Sequence, residues 1–381
     1  MPNRPWNGEI VYIYTMTLDE IIEANYCPEE YPALNNCMSR WGYQRPFDGK
    51  KVLVATPIYR NTLVQYKTLL MGGAQLFVGN SMPSDEGVVK LLKEWGIAVI
   101  KPGDKDEIFD VIFDCGGQFA HFRPKVGFVE LTRTGVHFYE NSNYPVYVAD
   151  SGVVKRIETC LGTGDGYIRG LCQWGFSSVE HKKVLVFGAG KVGCGIVVQA
   201  LGRGAIVNVV TDTHHSVNGV LEANHVTVTD ISCIDEVVKK IEEADFVVTA
   251  TGVKNALDKP ELALALLNSK AVVANMGVED EFGPGVPETR VLNKKVPLNF
   301  SLEEPTHLKY IEASLCLHLE LGELLLQQNA KQKENVSLQN DAGFVGFKGP
   351  MDPPSELENR IIVTTLEHGC IQAELREMMG L

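Results

Sequence analysis

Short apolar runs rich in β-branched residues alternate along this chain with stretches whose apolar residues recur at helical spacing. Residues 51–56, 74–78 and 97–100 are runs of the first kind, and 63–70 and 87–95 are stretches of the second, so the pattern predicts β-α-β-α-β. Residues 111–113 predict a further strand that ends at Asp114-Cys115-Gly116-Gly117, and glycine-rich strand ends carry the ligand-contacting loops of α/β sheets. A second parallel series, with helical crossovers, is predicted at 184–187, 206–210, 246–250 and 271–274. The fold class is therefore α/β, with two Rossmann-like parallel-sheet domains.

Residues 149–175 lack strand signals and predict one helix that carries the chain between the domains, capped by Asp150 or Ser151. Leu308, Ile311, Leu315, Leu319 and Leu326 share one face of an amphipathic helix over about 306–327, which predicts the return crossing. Paired crossings of this kind form a hinge. The expected organisation is a substrate-type α/β domain over 1–152, completed by helix 306–328, and a dinucleotide-binding domain over 153–305. A polar linker (329–341) and a C-terminal helix (356–379) lie within the remaining 329–381.

The sharpest local signal begins where strand 184–187 runs into Gly188-Ala-Gly190-Lys191-Val192-Gly193, followed by an apolar helix and a second strand ending at Asp212. Gly188 permits the tight turn, Gly190 lets a diphosphate approach the backbone, and Gly193 lets the helix pack closely on the strand. The helix N-terminus adds unpaired amides and a positive dipole end. Asp212 lies 19 residues beyond Gly193, where an acid contacts a ribose hydroxyl. A dinucleotide site follows, with another adenosyl ligand as the alternative occupant of such a turn.

Composition narrows this picture. A 381-residue chain that is 45% hydrophobic and 22% charged can bury a large core. Its formal charge of −13 argues against nucleic acid or an anionic membrane as partner, since either requires a clustered basic face. Nine scattered cysteines without C-x-x-C pairs suit free thiols in a reducing compartment, and zinc-ligand spacing is absent. The opening Met-Pro-Asn-Arg-Pro-Trp has no apolar signal stretch and no run is long enough to span a bilayer, so the cytoplasm is expected and no metal is called for.

Several motifs taken together resemble the S-adenosylhomocysteine hydrolase family over roughly residues 20–327. They are Asp-Cys-Gly-Gly (114–117), Glu-Leu-Thr-Arg-Thr-Gly-Val-His (130–137), Pro-Val-Tyr-Val-Ala-Asp-Ser (145–151), the Gly188 turn, Thr-Ala-Thr-Gly (249–252), Asn-Met-Gly (275–277) and Leu-Asn-Phe (298–300). That family uses a tightly held NAD to oxidise and re-reduce its substrate's ribose, and it assembles as an oligomer. The resemblance places cofactor contacts at Thr132, Thr134, Thr251, Gly252, Asn275 and Asn299, and it implies a homo-oligomer. The family's acid–base residues fall here on Pro57, Cys115, Leu131, Val154, Glu158, Thr159, Thr163 and Val278, and Glu158 alone keeps the right charge.

Pro, Leu and Val cannot move a proton, so these replacements predict that the chain is not an efficient hydrolase of that type. The remaining catalytic candidates are Glu158, Lys155 (one position beyond the replaced lysine), Asp150 and Cys115. Asp150 reads equally as a helix cap and Cys115 as a buried thiol. Arg133, His137 and His121 are the substrate-binding candidates, with Arg133 suited to a carboxylate clamp or to a surface ion pair. Glu279-Asp280-Glu281 reads as a solvated acidic loop or a cation-recognising cleft mouth. The leading expectation is an NAD(H)-dependent enzyme acting on a different small-molecule metabolite. The alternatives are an S-adenosylmethionine-dependent methyltransferase using the same crevice, and a non-catalytic nucleotide-binding regulator.

Overall fold

The computed structural model describes residues 16–82, 84–104, 107–214, 219–223, 225–338 and 348–380. Helices α1 (Leu18–Asn25) and α2 (Pro32–Gln44) precede β1 (Lys51–Val54), α3 (Leu63–Met71), β2 (Gln75–Gly79), α4 (Glu86–Glu94), β3 (Ala98–Ile100), β4 (Val111–Asp114), β5 (Gly127–Glu130) and β6 (Pro145–Val148). A π-helical stretch, Ile157–Gly162, runs into α5 (Thr163–Gln173) and carries the chain onward. Then come β7 (Lys183–Phe187), α6 (Lys191–Leu201), β8 (Ile206–Thr211), α7 (Gly219–Ala223), β9 (Thr227–Asp230), α8 (Ile234–Glu243), β10 (Phe246–Thr249), α9 (Pro260–Asn268) and β11 (Val272–Asn275). Helix α10 (Leu308–Leu338) returns the chain, which closes with β12 (Gly349–Met351), α11 (Ser355–His368) and α12 (Gln372–Met379).

Two α/β sheets result, and their paired strands are parallel throughout. The first has the order β12-β6-β5-β4-β1-β2-β3 and the second β11-β10-β7-β8-β9. Strand order reverses beside β1 in the first sheet and beside β7 in the second. Loops that leave opposite faces there diverge and open a crevice. Among the described residues, the four strands that the apolar runs did not announce, β5, β6, β9 and β12, each carry Gly, Pro or Thr in place of a continuous apolar run.

The interdomain crossing departs from the expected single helix. Helical backbone begins only at Lys155, and Asp150 does not cap it: its Oδ2 accepts the Arg133 amide at 2.8 Å. The π-helical turn, in which Thr163 N donates to the Glu158 carbonyl, lies where this segment meets α6 backbone to backbone. A Cβ on Gly195 would overlap the Cys160 carbonyl, and one on Gly164 would overlap the carbonyl of Gly195.

The expected linker over 329–341 is also corrected as far as Leu338, since α10 continues through it; Gln, Lys, Glu and Ala are good helix formers even without an apolar face. Residues 339–341 lie outside the described residues. The expected C-terminal helix is two helices, interrupted where the Cys370 amide turns aside to the Glu29 carbonyl at 3.0 Å.

Helix α10 carries buried polar groups that tie the first domain together. The Glu312 carboxylate accepts Leu34 N at 3.1 Å, at the start of α2, and the Thr365 hydroxyl of α11 at 3.3 Å. Burial pushes its pKa up to about 8. His318 bonds the Val129 carbonyl through Nε2 at 2.9 Å and Gln65 Nε2 through Nδ1 at 3.3 Å, while Gln65 Oε1 accepts Thr56 Oγ1 at 2.9 Å. Burial lowers the His318 pKa to about 3, which leaves a neutral ring suited to this relay.

Glu312 generates a pH prediction. An unfolded glutamate loses its proton near pH 4.5, whereas the folded group keeps it to about 8. Folded protein therefore binds more protons across that window, and this contribution to stability falls as pH rises through it. Glu312→Gln removes the titration. Between pH 5 and pH 8 the variant should gain on wild type by an amount of the order of a few kcal/mol, read from urea midpoints.

Candidate nucleotide crevice and the adjoining polar cluster

The end of β7 builds the clearest site. Gly188 has φ +107°, and a Cβ there would overlap the Ala250 carbonyl; a Cβ on Gly193 would overlap the Gly188 carbonyl. Side chains at these positions would push α6 away from the sheet. Gly190 differs: it is the N-cap residue of α6, with φ −75°, and no atom lies within 4 Å of where its Cβ would stand. Glycine is needed at the first two positions for packing, and at the third it keeps the approach to the α6 amides open.

Val192 packs against the core behind this turn, and Lys191, first residue of α6, points out of it. The crevice above β8, β7 and β10 has a volume of about 480 Å³ and is lined by Gly188, Gly190, Asp212, Thr251 and Val253 among others. Asp212 follows β8, and its Oδ1 accepts His214 N at 2.9 Å. The donor set is that of an anion cradle beside a hydroxyl-binding acid.

At two neighbouring strand ends the loop amides are already held by buried carboxylates. Glu281, fully buried, accepts Thr251 N at 2.8 Å and Gly252 N at 2.7 Å. Glu130, also fully buried, accepts Gly116 N at 2.8 Å, Gly117 N at 2.9 Å, and the amide and hydroxyl of Thr132 at 2.8 and 2.6 Å. Asp280 is bound by Lys295 Nζ at 2.8 Å. The acidic stretch read as a solvated loop or cleft mouth is thus largely internal scaffolding, with Glu279 exposed.

Some residues expected to touch the cofactor serve these loops. The Asn275 amide nitrogen donates to the carbonyls of Gly277, Glu279 and Lys295, and its oxygen accepts the Thr249 hydroxyl and Gly277 N. Thr134 donates to the Thr132 hydroxyl at 3.2 Å. Asn299 lies against Gly166 of α5. Glu130 and Asp114 escaped sequence reasoning because nothing in the chain links an acid on β5 to a glycine pair after β4. Their proximity follows from strand order.

The catalytic candidates converge where the first domain meets the crossing. Lys155 is 3% exposed, and its Nζ lies 2.9 and 2.8 Å from the two carboxylate oxygens of Glu158. Burial pulls the Lys155 pKa down, but Glu158 and Asp150 pull it up further, and the ammonium persists. Cys115 is buried beside Glu130, and both press its thiol pKa well above the ordinary value despite the nearby Lys155. A thiolate nucleophile is disfavoured there. Burial, reinforced by Glu130, raises Asp114 to about 6, and it accepts Tyr139 Oη at 2.5 Å.

The substrate candidates separate. Arg133 Nη1 lies 3.4 Å from Ser151 Oγ, and exposed His137 lies against Phe138 with ring centroids 4.0 Å apart and planes tilted by 36°. His121 bonds the Pro102 carbonyl at 2.9 Å, which fixes it to the loop after edge strand β3. Among the described residues, two groups place three ligand-type atoms within 4.8 Å of one another: exposed Asp212 and His214 with half-buried Asp230, and buried Cys37, Cys316 and Glu320. Glu320 is already paired with Arg40 and Arg360.

Two parallel α/β sheets, with a glycine turn at the reversal point of the second, define a two-domain protein whose second half is Rossmann-type. The Shikimate / quinate 5-dehydrogenase family model matches residues 171–278. The chain has adenosylhomocysteinase-like homologues. Adenosylhomocysteinase of Thermoplasma acidophilum is 28% identical over 281 residues, 65% of this chain and 66% of that protein. S-inosyl-L-homocysteine hydrolase of Methanopyrus kandleri is 26% identical over 261 residues, 60% of each chain. This chain thus spans just under two-thirds of those relatives' length. Among solved structures, the dipicolinate synthase chain of Bacillus halodurans superposes with a TM-score of 0.48 at 14% identity, over 74% of this chain and 99% of that one. Among the described residues no helix is long and apolar enough to cross a membrane.

The internal carboxylates give a direct prediction. Glu281→Gln turns an NH₂ toward an amide donor, leaving one buried N–H unsatisfied. The variant should lose about 2–4 kcal/mol in urea unfolding, whereas Glu279→Gln, at an exposed position, should lie within about 0.5 kcal/mol of wild type.

Proposed function

We propose that this protein is an NAD(H)-dependent enzyme of adenosylhomocysteinase-like architecture that acts on a small metabolite and is not itself an efficient adenosylhomocysteine hydrolase. The observation that carries the reading is the Gly188 turn at the strand-order reversal of a Rossmann-type sheet, opening into a crevice of about 480 Å³ that Asp212 lines. The backbone of Gly188, Gly190, Lys191 and Gly193 would hold the diphosphate, and Asp212 would accept a ribose hydroxyl. Bound there, the nicotinamide supplies hydride chemistry.

The chain's own residues limit what that chemistry serves. Glu158 and Lys155 neutralise one another in a buried pair, Cys115 is held as a thiol, and Pro57, Leu131, Val154 and Val278 offer no proton acceptor. Oxidising a ribose and eliminating its thiol requires a base at each proton. The exposed Arg133 instead offers positive charge near Ser151, which favours a substrate bearing a carboxylate or another anionic group.

Two glycine variants test the nucleotide reading without a known substrate. Gly190→Ala adds a methyl in open space, so it should melt within a few degrees of wild type yet bind NAD at least about tenfold more weakly in calorimetry, a loss of about 1.4 kcal/mol. Gly193→Ala should unfold or melt far lower. Stabilisation of wild type by S-adenosylmethionine and not by NAD would refute the proposal, as would rapid release of adenosine from S-adenosylhomocysteine.

A further inference from the structure

Next to Gly190 of the crevice wall, Lys191 places its Nζ 3.5 Å from Asp150 Oδ1. Lys191 begins α6 in the second domain, and Asp150 follows β6 in the first, so the pair spans the interdomain cleft. The two partners differ in freedom. Asp150 is nearly buried and fixed, its other oxygen accepting the Arg133 amide at 2.8 Å. The Lys191 side chain is about half exposed and can swing.

From this geometry we infer that Lys191 is a closure bridge: it positions the Asp150 edge of the first domain over a filled diphosphate site by standing between two sets of negative charge. This rests on the nucleotide reading above. A diphosphate held by the α6 amides brings its charges to the helix end from which Lys191 projects. Asp150 cannot retreat, because Arg133 N holds it. With Lys191 shared between them, the repulsion between the carboxylate and the phosphates is screened, and the domains close on the ligand. Without the ammonium, the same carboxylate opposes closure over a filled site.

The two substitutions therefore have coupled effects. Lys191→Ala should weaken NAD binding about tenfold, while Asp150→Asn alone should change it by no more than about threefold. The double variant should recover to within about threefold of wild type, because removing the carboxylate removes the repulsion that Lys191 was screening. Small-angle scattering should show wild type contracting on addition of NAD, Lys191→Ala failing to contract, and the double variant contracting again. Thermal melting confirms that each variant is folded, and Lys191→Gln serves if the alanine variant is not.

A double variant that binds as weakly as Lys191→Ala overturns the bridge and leaves Lys191 a simple phosphate contact. Unchanged affinity in Lys191→Ala overturns it as well. Absence of NAD binding by wild type overturns the nucleotide reading itself, and the bridge with it.

Discussion

Helix α6 meets its neighbours through backbone, and the arrangement of the molecule depends on that contact. At its start Gly193 lies on the Gly188 carbonyl, and two residues on, Gly195 lies on the carbonyl of Cys160 while Gly164 lies on that of Gly195. A methyl group at any of these three positions would force the elements apart. The same contact places the α6 amides at the reversal point of the second sheet and holds the π-helical turn of the crossing beside them. Crevice and polar cluster are adjacent because three elements approach without side chains between them.

Within that frame the two sheets share a device. In each, a fully buried glutamate at or just beyond one strand end accepts two consecutive amides of the loop leaving the adjacent strand: Glu130 for Gly116 and Gly117, Glu281 for Thr251 and Gly252. A carboxylate inside a protein is tolerated when donors surround it. These loops are thereby made rigid, and their amides are unavailable to a ligand. The Gly188 turn is built differently: among the described residues no side chain accepts from the amides between Ala189 and Val192.

How much of this was legible in the chain varies with the range of the interaction. The Gly188–Gly193 turn and the place of Asp212 just after its strand are local, encoded by residue spacing and by the strand and helix on either side, and the strand, turn and helix stand where the pattern put them. Asn275 and Thr134 matched positions in a motif, yet their side-chain partners lie in neighbouring loops, and those partners decide what the side chains do. Lys155 shows the limit from the other side. Its candidacy rested on a place one residue past the replaced lysine, and in the fold the side chain is buried against Glu158.

The sequence by itself determined the α/β class, the two strand series and the diphosphate-type turn, because each is written in hydrophobic period and glycine placement over a few tens of residues. Tertiary structure alone decided which acids are scaffold and which face the cleft, that the last strand joins the first sheet, and that Lys191 of one domain meets Asp150 of the other. Those outcomes rest on contacts between segments far apart in the chain. Local propensity carries no information about which distant group will satisfy a buried charge or amide, and packing settles that choice.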